Sequence, residues 1–552
     1  MGANIQPINV FLKLSRSSKL IFIKIFTFSG MFFFIFGCQS SLEENRNHLV
    51  FRYNEHANIT SLDPAFAKDQ RNIWPCNQLY NSLVRLDDQL NIQPDLAKNW
   101  TISEDAKTYE FILRNDVLFH ESEIFTNKTR NVNSSDVVYS LNRLLDPKIA
   151  SPGSWVLQSV KNIIAVNDTI VKIELEKPFP AFLGLLSMKY CSVIPVEMEN
   201  HDFRENPVGT GPFYFKRWEA NEKLVFRKNK NYFEKDSLGN SLPHLEAVAI
   251  TFLPDKQSEF LQFAQGKIDF ISGLDPSYKD ELLTNKGELR EKYSSSVNMF
   301  QHPYLNTEYI GIYLEHPTDE VNSLALRQAI NYGFNRKAMI TYLRNGMGTE
   351  ATHGFIPKGL PGFSEKEYYP YNPSKAEELV NQYRQETGIQ NPEINISTNA
   401  SYLDLCEYMQ RELLKIGITV NVDVMPPSTL RQQRSAGKLQ MFRASWIADY
   451  PDAENYLSLF YSKNFAPNGP NYTHFKSEKF DEFYEKATKT AGVNERLLLY
   501  QQMDSIITTQ AAVVPLYYDK VVRFTQKNVQ DLGINPINLL DLRYVKKKML
   551  ND

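Results

Sequence analysis

Trp446, Asp449, Tyr450, Asp452, Tyr456, Phe460 and Tyr461 fall within 16 residues of the stretch SWIADYPDAENYLSLFYSKNFAPNGPNY, residues 445–472. Carboxylates set among aromatic rings are suited to holding a cation beside an apolar wall. Pro451 restricts Tyr450 to an extended or polyproline conformation, so the backbone does not simply wind this region into a helix. A loop whose rings pack on the core while its acids face water fits the same residue types. Asp449 and Asp452 also raise the idea of the paired carboxylates of a hydrolase. No serine elbow, metal motif or other complete catalytic set accompanies them, so no catalytic residue is assigned.

The elements around the stretch favour binding. LQMFRASW, residues 439–446, reads as a strand running into it, and binding loops of α/β units commonly lie just past the carboxyl ends of strands. Asp449 therefore occupies a favourable position for a ligand contact. Upstream, residues 394–425 read as strand, helix, strand. Residues 322–346 read as helical, with Leu326, Ile330 and Phe334 recurring every four residues. Closer to the N-terminus, TYEFILRNDVLFH alternates as a strand. Residues 133–147 predict a helix that starts behind Ser134 or Ser135 and puts Val138, Leu141 and Leu145 on one side. Gly209 and Gly211 flank Thr210 ahead of a hairpin, a pattern that permits an unusual turn or a close chain approach. The phosphate-loop Lys-Ser/Thr pair is missing there, so this is not a nucleotide motif.

Residues 1–19 carry Lys13, Arg16 and Lys19 and no acid, and an apolar run follows to residue 38. Its cleaner core, Phe26 to Phe36, is too short for a membrane span. Basic region, apolar region and small residue together predict a secretory signal, residues 1–37, and an exported protein. Phe36-Gly37-Cys38 resembles the lipobox of bacterial lipoproteins, with Phe where Leu is usual. That resemblance makes Cys38 a lipidation site and residues 38–48 a tether. Cys76, Cys191 and Cys406 are widely separated, with no CxxC pair, and free buried thiols are the expectation in a chain this long. The histidines show no compact ligand cluster, and neither metal nor cofactor is assigned. With 61 basic and 64 acidic residues and a formal charge of -3, the chain lacks the basic excess that a nucleic-acid binder needs. Its 29 Tyr and 35 Phe permit an aromatic-lined cavity.

Five stretches carry a wider resemblance: SLDPA at 61–65, PDLAKNWTISEDAKTYEFILRNDVLFH with NSSDVVYSLNR at 94–143, NPVGTGPFYFKRW at 206–218, ALRQAINYGFNRKAMI at 325–340, and WIADYPDAENYLSLFYS at 446–462. In order and spacing the chain resembles extracellular solute-binding proteins of the large peptide/nickel class, the receptors of oligopeptide and dipeptide ABC transporters. The resemblance implies an α/β, two-lobed periplasmic-binding-protein fold with mixed sheets flanked by helices and a double hinge. It places the first lobe at 49–80, 208–305 and 511–552, an inserted subdomain at 81–207 and the second lobe at 306–510. It further implies a monomeric receptor for short peptides that works with ABC permease subunits of the inner membrane. Asp449 would bond the peptide α-ammonium, with Trp446 and Tyr450 walling that end. Arg443, Arg434 and Arg431 are candidates for the ligand carboxylate, each weighed against a surface or lobe-stabilising role. Tyr53, Asn54 and Trp74 are candidates for the first-lobe face of the cleft. A nickel chelate, haem or a sugar-like solute is the alternative ligand, and a secreted hydrolase the alternative class.

Overall fold

The computed structural model describes residues 49–548 except 276 and 491. The segment 1–37 expected as a signal, Cys38 and the expected tether to residue 48 lie outside the described residues. One mixed sheet runs through both lobes. Its strands are β1 (Val50–Asn54), β2 (Phe213–Glu219), β3 (Lys223–Lys228), β4 (Ala247–Thr251), β5 (Phe270–Ser272), β6 (Val297–Ile312), β7 (Glu393–Thr398), β8 (Thr419–Val424), β9 (Met441–Ile447) and β10 (Val513–Gln526). They lie in the order β8-β7-β9-β6-β10-β5-β1-β4-β3-β2, and an eleventh strand, Thr349–Glu350, pairs with β10 off this path.

The double hinge follows from two long strands. β6 has 16 residues and β10 has 14, and they pair antiparallel across both lobes. Val297 to Pro303 pairs with Lys520 to Gln526, and Thr307 to Gly311 pairs with Val513 to Tyr518. The register shifts between Pro303 and Thr307, where proline withholds a ladder donor. The two crossings between lobes thus fall at 303–307 and 518–520.

The segment expected as an inserted subdomain, residues 81–207, contains a four-stranded antiparallel sheet of Ala97–Ile102, Thr108–Leu113, Ile170–Leu175 and Val160–Asn167, in that spatial order. Helix Ser134–Leu145 packs on it and starts at Asn133, whose side chain accepts the Asp136 N–H while the Asp136 carboxylate accepts that of Asn133. The cap sits one residue before the serines expected to hold it. The buried set is Val137, Leu141 and Leu144, and Leu145 is exposed. Both sets keep helical spacing, so periodicity alone does not choose between them. This subdomain shares one continuous core with the first lobe, in which Phe51 and Tyr53 join Phe111, Val137 and Phe182. Gly209 and Gly211 serve close approach, since a side chain on either would run into the backbone of Leu79.

In the second lobe Leu326, Ile330 and Phe334 are buried, but the helical run divides into Leu324–Tyr332 and Arg336–Arg344. Asn335 caps the second helix by accepting the Ala338 N–H. Apolar cores lie on both faces of the second-lobe sheet: Ile310, Ile396 and Met441 on one, Tyr309, Phe442 and Ala444 on the other. Cys76, Cys191 and Cys406 are buried free thiols.

Candidate ligand-binding cleft

β9 and the loop after it have two unlike faces. Phe442, Ala444, Ala448 and, in part, Trp446 pack into a second-lobe core. Arg443, Ser445 and Ile447 point the other way by strand alternation, and Ile447 is 46 % exposed within a regular strand. The edge of β9 is also only partly used. β7 pairs with Met441 and Phe442 through Ile396 and Ser397, and no further register with β9 continues beyond them among the described residues. From Arg443 to Ile447 the strand thus offers backbone groups on one edge, the geometry that receives an added extended segment.

Asp449 lies just past this edge. Its loop is fixed by Asn455, whose Oδ1 accepts the Trp446 Nε1–H at 2.9 Å and the Asp449 backbone N–H at 3.2 Å. The Asn455 Nδ2 donates to Asp449 Oδ2 at 3.3 Å. The Tyr456 hydroxyl lies 2.8 Å from the Leu305 carbonyl and 3.0 Å from that of Trp446, tying the loop to the hinge strand β6. Asp449 is an exposed residue, yet surrounding protein pushes its carboxyl up from the usual range while the bond from Asn455 pulls it down. Exposure together with desolvation describes a group on the floor of a cleft: solvent reaches it, but walls on either side exclude much of its hydration. One such wall carries Tyr190, whose phenol is pushed up to about 12 by burial and then by the charges of Asp449 and Asp69. A cation arriving there relieves the cost of the partly desolvated carboxylate.

Tyr450 has a different task. It is buried, donates to the Glu454 carboxylate, and sets its ring 6.3 Å from that of Trp155 and 6.4 Å from that of Phe179. Tyr484 donates to the other Glu454 oxygen, and burial raises the Glu454 carboxyl despite both phenols. Pro451 lies against Gly184, where a built Cβ would come 3.4 Å from its Cδ. The Tyr450-Pro451 pair thus reaches from the second lobe into the inserted subdomain, as an interlobe contact. Trp446 is partly buried against the second-lobe core and reaches Asn455 through its indole N–H.

The arginines fall on opposite sides of the sheet. Arg443, 7 % exposed, pairs with Glu308 on β6 and lies over the Tyr402 ring. Its Nε has no hydrogen-bond partner among the described residues. Arg434 instead stacks 4.1 Å from the Tyr472 ring centroid and 5.8 Å from that of Phe442, on the face of β9 away from Arg443. Arg431 is exposed.

The first-lobe candidates are engaged within their own lobe. Tyr53 is 1 % exposed and Trp74 5 %, with both rings about Phe270 and the Trp74 indole donating to Asn538 O at 2.9 Å. Both pack in the first-lobe core, and the Tyr53 hydroxyl is buried there without a hydrogen-bond partner among the described residues. The Asn54 side chain donates to Leu253 O at 3.0 Å and accepts the Leu253 N–H at 2.7 Å, so it closes the end of β1 on the chain after β4. Two groups absent from the sequence expectations, Tyr190 and Glu308, stand beside Asp449 and Arg443. Only the tertiary fold brings them there, from far away in the chain, and no local spacing announces them.

A profile of the family "Bacterial extracellular solute-binding proteins, family 5 Middle" matches residues 91–468. The chain is 28 % identical over 466 residues to heme-binding protein A of Haemophilus influenzae, covering 80 % of this chain and 81 % of that protein. It is 26 % identical to the probable di/tripeptide-binding protein 5 of Pseudomonas aeruginosa, covering 85 % and 90 %. Among solved structures it resembles the ABC transporter-associated periplasmic binding protein DppA of Helicobacter pylori in complex with the peptide STSA, with a TM-score of 0.70, 26 % identity, and 90 % and 98 % coverage. The match over most of the chain, together with the two lobes and their double hinge, shows that this protein belongs to family 5 of the bacterial extracellular solute-binding proteins, a family of binding proteins and not of enzymes.

Proposed function

We propose that this chain is the receptor of an ABC importer, capturing short peptides with a free N-terminus between its lobes and delivering them to permease subunits in the membrane. The observation that carries the reading is the partly desolvated Asp449 carboxylate just beyond an unpaired length of β9. A peptide adds to the strand edge through its backbone and sets its α-ammonium against Asp449, while its side chains project to either side. The names of the Pseudomonas and Helicobacter relatives, which refer to peptides, favour this class over the haem named for the Haemophilus relative. Arg443, six residues before Asp449 and of the same strand parity, is the candidate for the far end of the ligand. Trp446 and Tyr450 act on Asp449 through the loop and the interlobe contact. Arg434, Tyr53, Asn54 and Trp74 hold the lobes.

Mass spectrometry of solute released from the natively purified protein tests the reading. Peptides with free amino termini are expected. A single non-peptide solute, or haem, would overturn it. The same proposal anchors the mature chain through lipid on Cys38. Cys38→Ala is expected to move the protein from the membrane fraction to the soluble extract, and an unchanged distribution would remove the anchor.

A further inference from the structure

We propose that a cavity at the free edge of the first-lobe sheet binds a small organic acid with an apolar body, at a site separate from the interlobe cleft. The cavity has a volume of about 330 Å³, within the range of about 300–1,000 Å³ that suits small molecules. Its walls come from the loop after β1, residues 60–66, from the segment 201–204 and from Trp218 on β2, the last strand of the sheet. Among the described residues none from the second lobe lines it, and neither does any group placed at the cleft. The site thus goes beyond the peptide reading and does not depend on it.

The polar groups of the wall are mostly donors with nothing to donate to. The Arg204 guanidinium lies 4.5 Å from the centroid of the Trp218 ring and makes no hydrogen bond or ion pair among the described residues. The Trp218 indole N–H is buried without an acceptor. The Thr60 hydroxyl accepts from Asn72 Nδ2 at 2.8 Å and that of Ser61 from the Asp63 N–H at 3.0 Å, so each keeps its own hydrogen to give. The acids are differently placed. Asp63 is committed to Arg143 by two bonds of 3.0 and 2.7 Å and also accepts the Ala65 N–H. Asp202 accepts the Arg204 backbone N–H at 2.8 Å and is exposed, where water weakens its field.

A buried indole N–H left unpaired is costly, and a guanidinium without a partner beside it matches a carboxylate. Arg204 is exposed and held by the ring alone, so it turns from the indole face toward an incoming anion at little cost and opens the N–H to the same group. Leu62, Phe66 and Phe203 supply the apolar wall. Arg143 lies 5.1 Å from the centroid of the Phe203 ring, with its charge already answered by Asp63. One unpaired cation and an apolar bed select a monocarboxylate with a hydrocarbon or aryl body. The second charge of a dicarboxylate or a phosphate would stand unpaired near Asp63 and Asp202.

Benzoate is the probe, with benzamide as its neutral counterpart. The readout is the set of five indole N–H signals of the full isotope-labelled protein in NMR, with that of Trp218 identified by its loss in Trp218→Phe. Benzoate is expected to move the Trp218 signal saturably and to leave in place that of Trp446, which shares Asn455 with Asp449. Arg204→Met is expected to raise the dissociation constant about tenfold or more and Arg204→Lys to raise it less, with the other indole signals unmoved as the mark of an intact fold. Asp449→Asn should bind benzoate as the wild type does. No saturable shift of Trp218, an equal response to benzamide, or the same constant in Arg204→Met would each overturn the proposal. Loss of the benzoate response in Asp449→Asn would place the acid in the interlobe cleft and overturn it as well.

Discussion

The two sides of the cleft differ in how much bonding capacity their side chains retain. On the second-lobe side Asp449 has one bond from Asn455, Arg443 has an unpartnered Nε, and β9 has an unpaired edge. On the first-lobe side the Tyr53 and Trp74 rings lie within the core and Asn54 is bonded to Leu253 in both directions, although the buried Tyr53 hydroxyl lacks a partner among the described residues. The contrast assigns discrimination among ligands to the second lobe and rigidity to the first. A substitution on one side should change which ligand binds, and on the other how well the protein stands.

The largest effect that sharpens this contrast is expected at Trp74. Trp74→Ala removes a buried ring and an indole bond to Asn538, and a loss of about 3–5 kcal/mol of stability is expected in denaturant titration. Ligand preference in the folded fraction should not change. Asp449→Asn should do the reverse, costing about 2–4 kcal/mol of affinity for free-amine peptides in calorimetry with little change in melting temperature. A change of preference in Trp74→Ala would break the division between the lobes.

A third test uses pH. Burial pushes the Asp504 carboxyl up to about 7 and that of Glu55 up to about 8. Both folded-state values lie above those of the unfolded chain, so the unfolded state releases its protons first as pH rises. The associated stability is present below about pH 4 and is lost as pH climbs through 7 to 8. The melting temperature should therefore fall between pH 5 and pH 8.5, and Asp504→Asn should flatten that slope. The smallest effect is expected at the interlobe contact. Tyr450→Phe keeps the ring against Phe179 but removes one of the two phenols on Glu454, and a loss of about 1 kcal/mol is expected by calorimetry.

Much of the fold was legible because its signals are local. Alternation in TYEFIL and the four-residue spacing of Leu326, Ile330 and Phe334 each act over a few residues, whereas the choice of Asn133 over the neighbouring serines as helix cap was not marked in the sequence. The place of Asp449 just past a strand was legible because LQMFRASW alternates into a proline-restricted loop. The first-lobe candidates show where such reasoning stops. Tyr53 lies at the end of a strand, but it shares parity with Phe51 and therefore points with it into the core. Arg443 and Arg434 looked alike by distance along the chain, yet the sheet separates them.

The central claim is that the Asp449 carboxylate recognises a ligand ammonium, and titration calorimetry of one captured peptide and its N-acetylated form, on the wild type and on Asp449→Asn, tests it most directly. A preference of about 30-fold or more for the free amine in the wild type, falling to near parity in the variant, is the result expected for a partly desolvated charge pair. Equal affinity for the two forms in the wild type would contradict it.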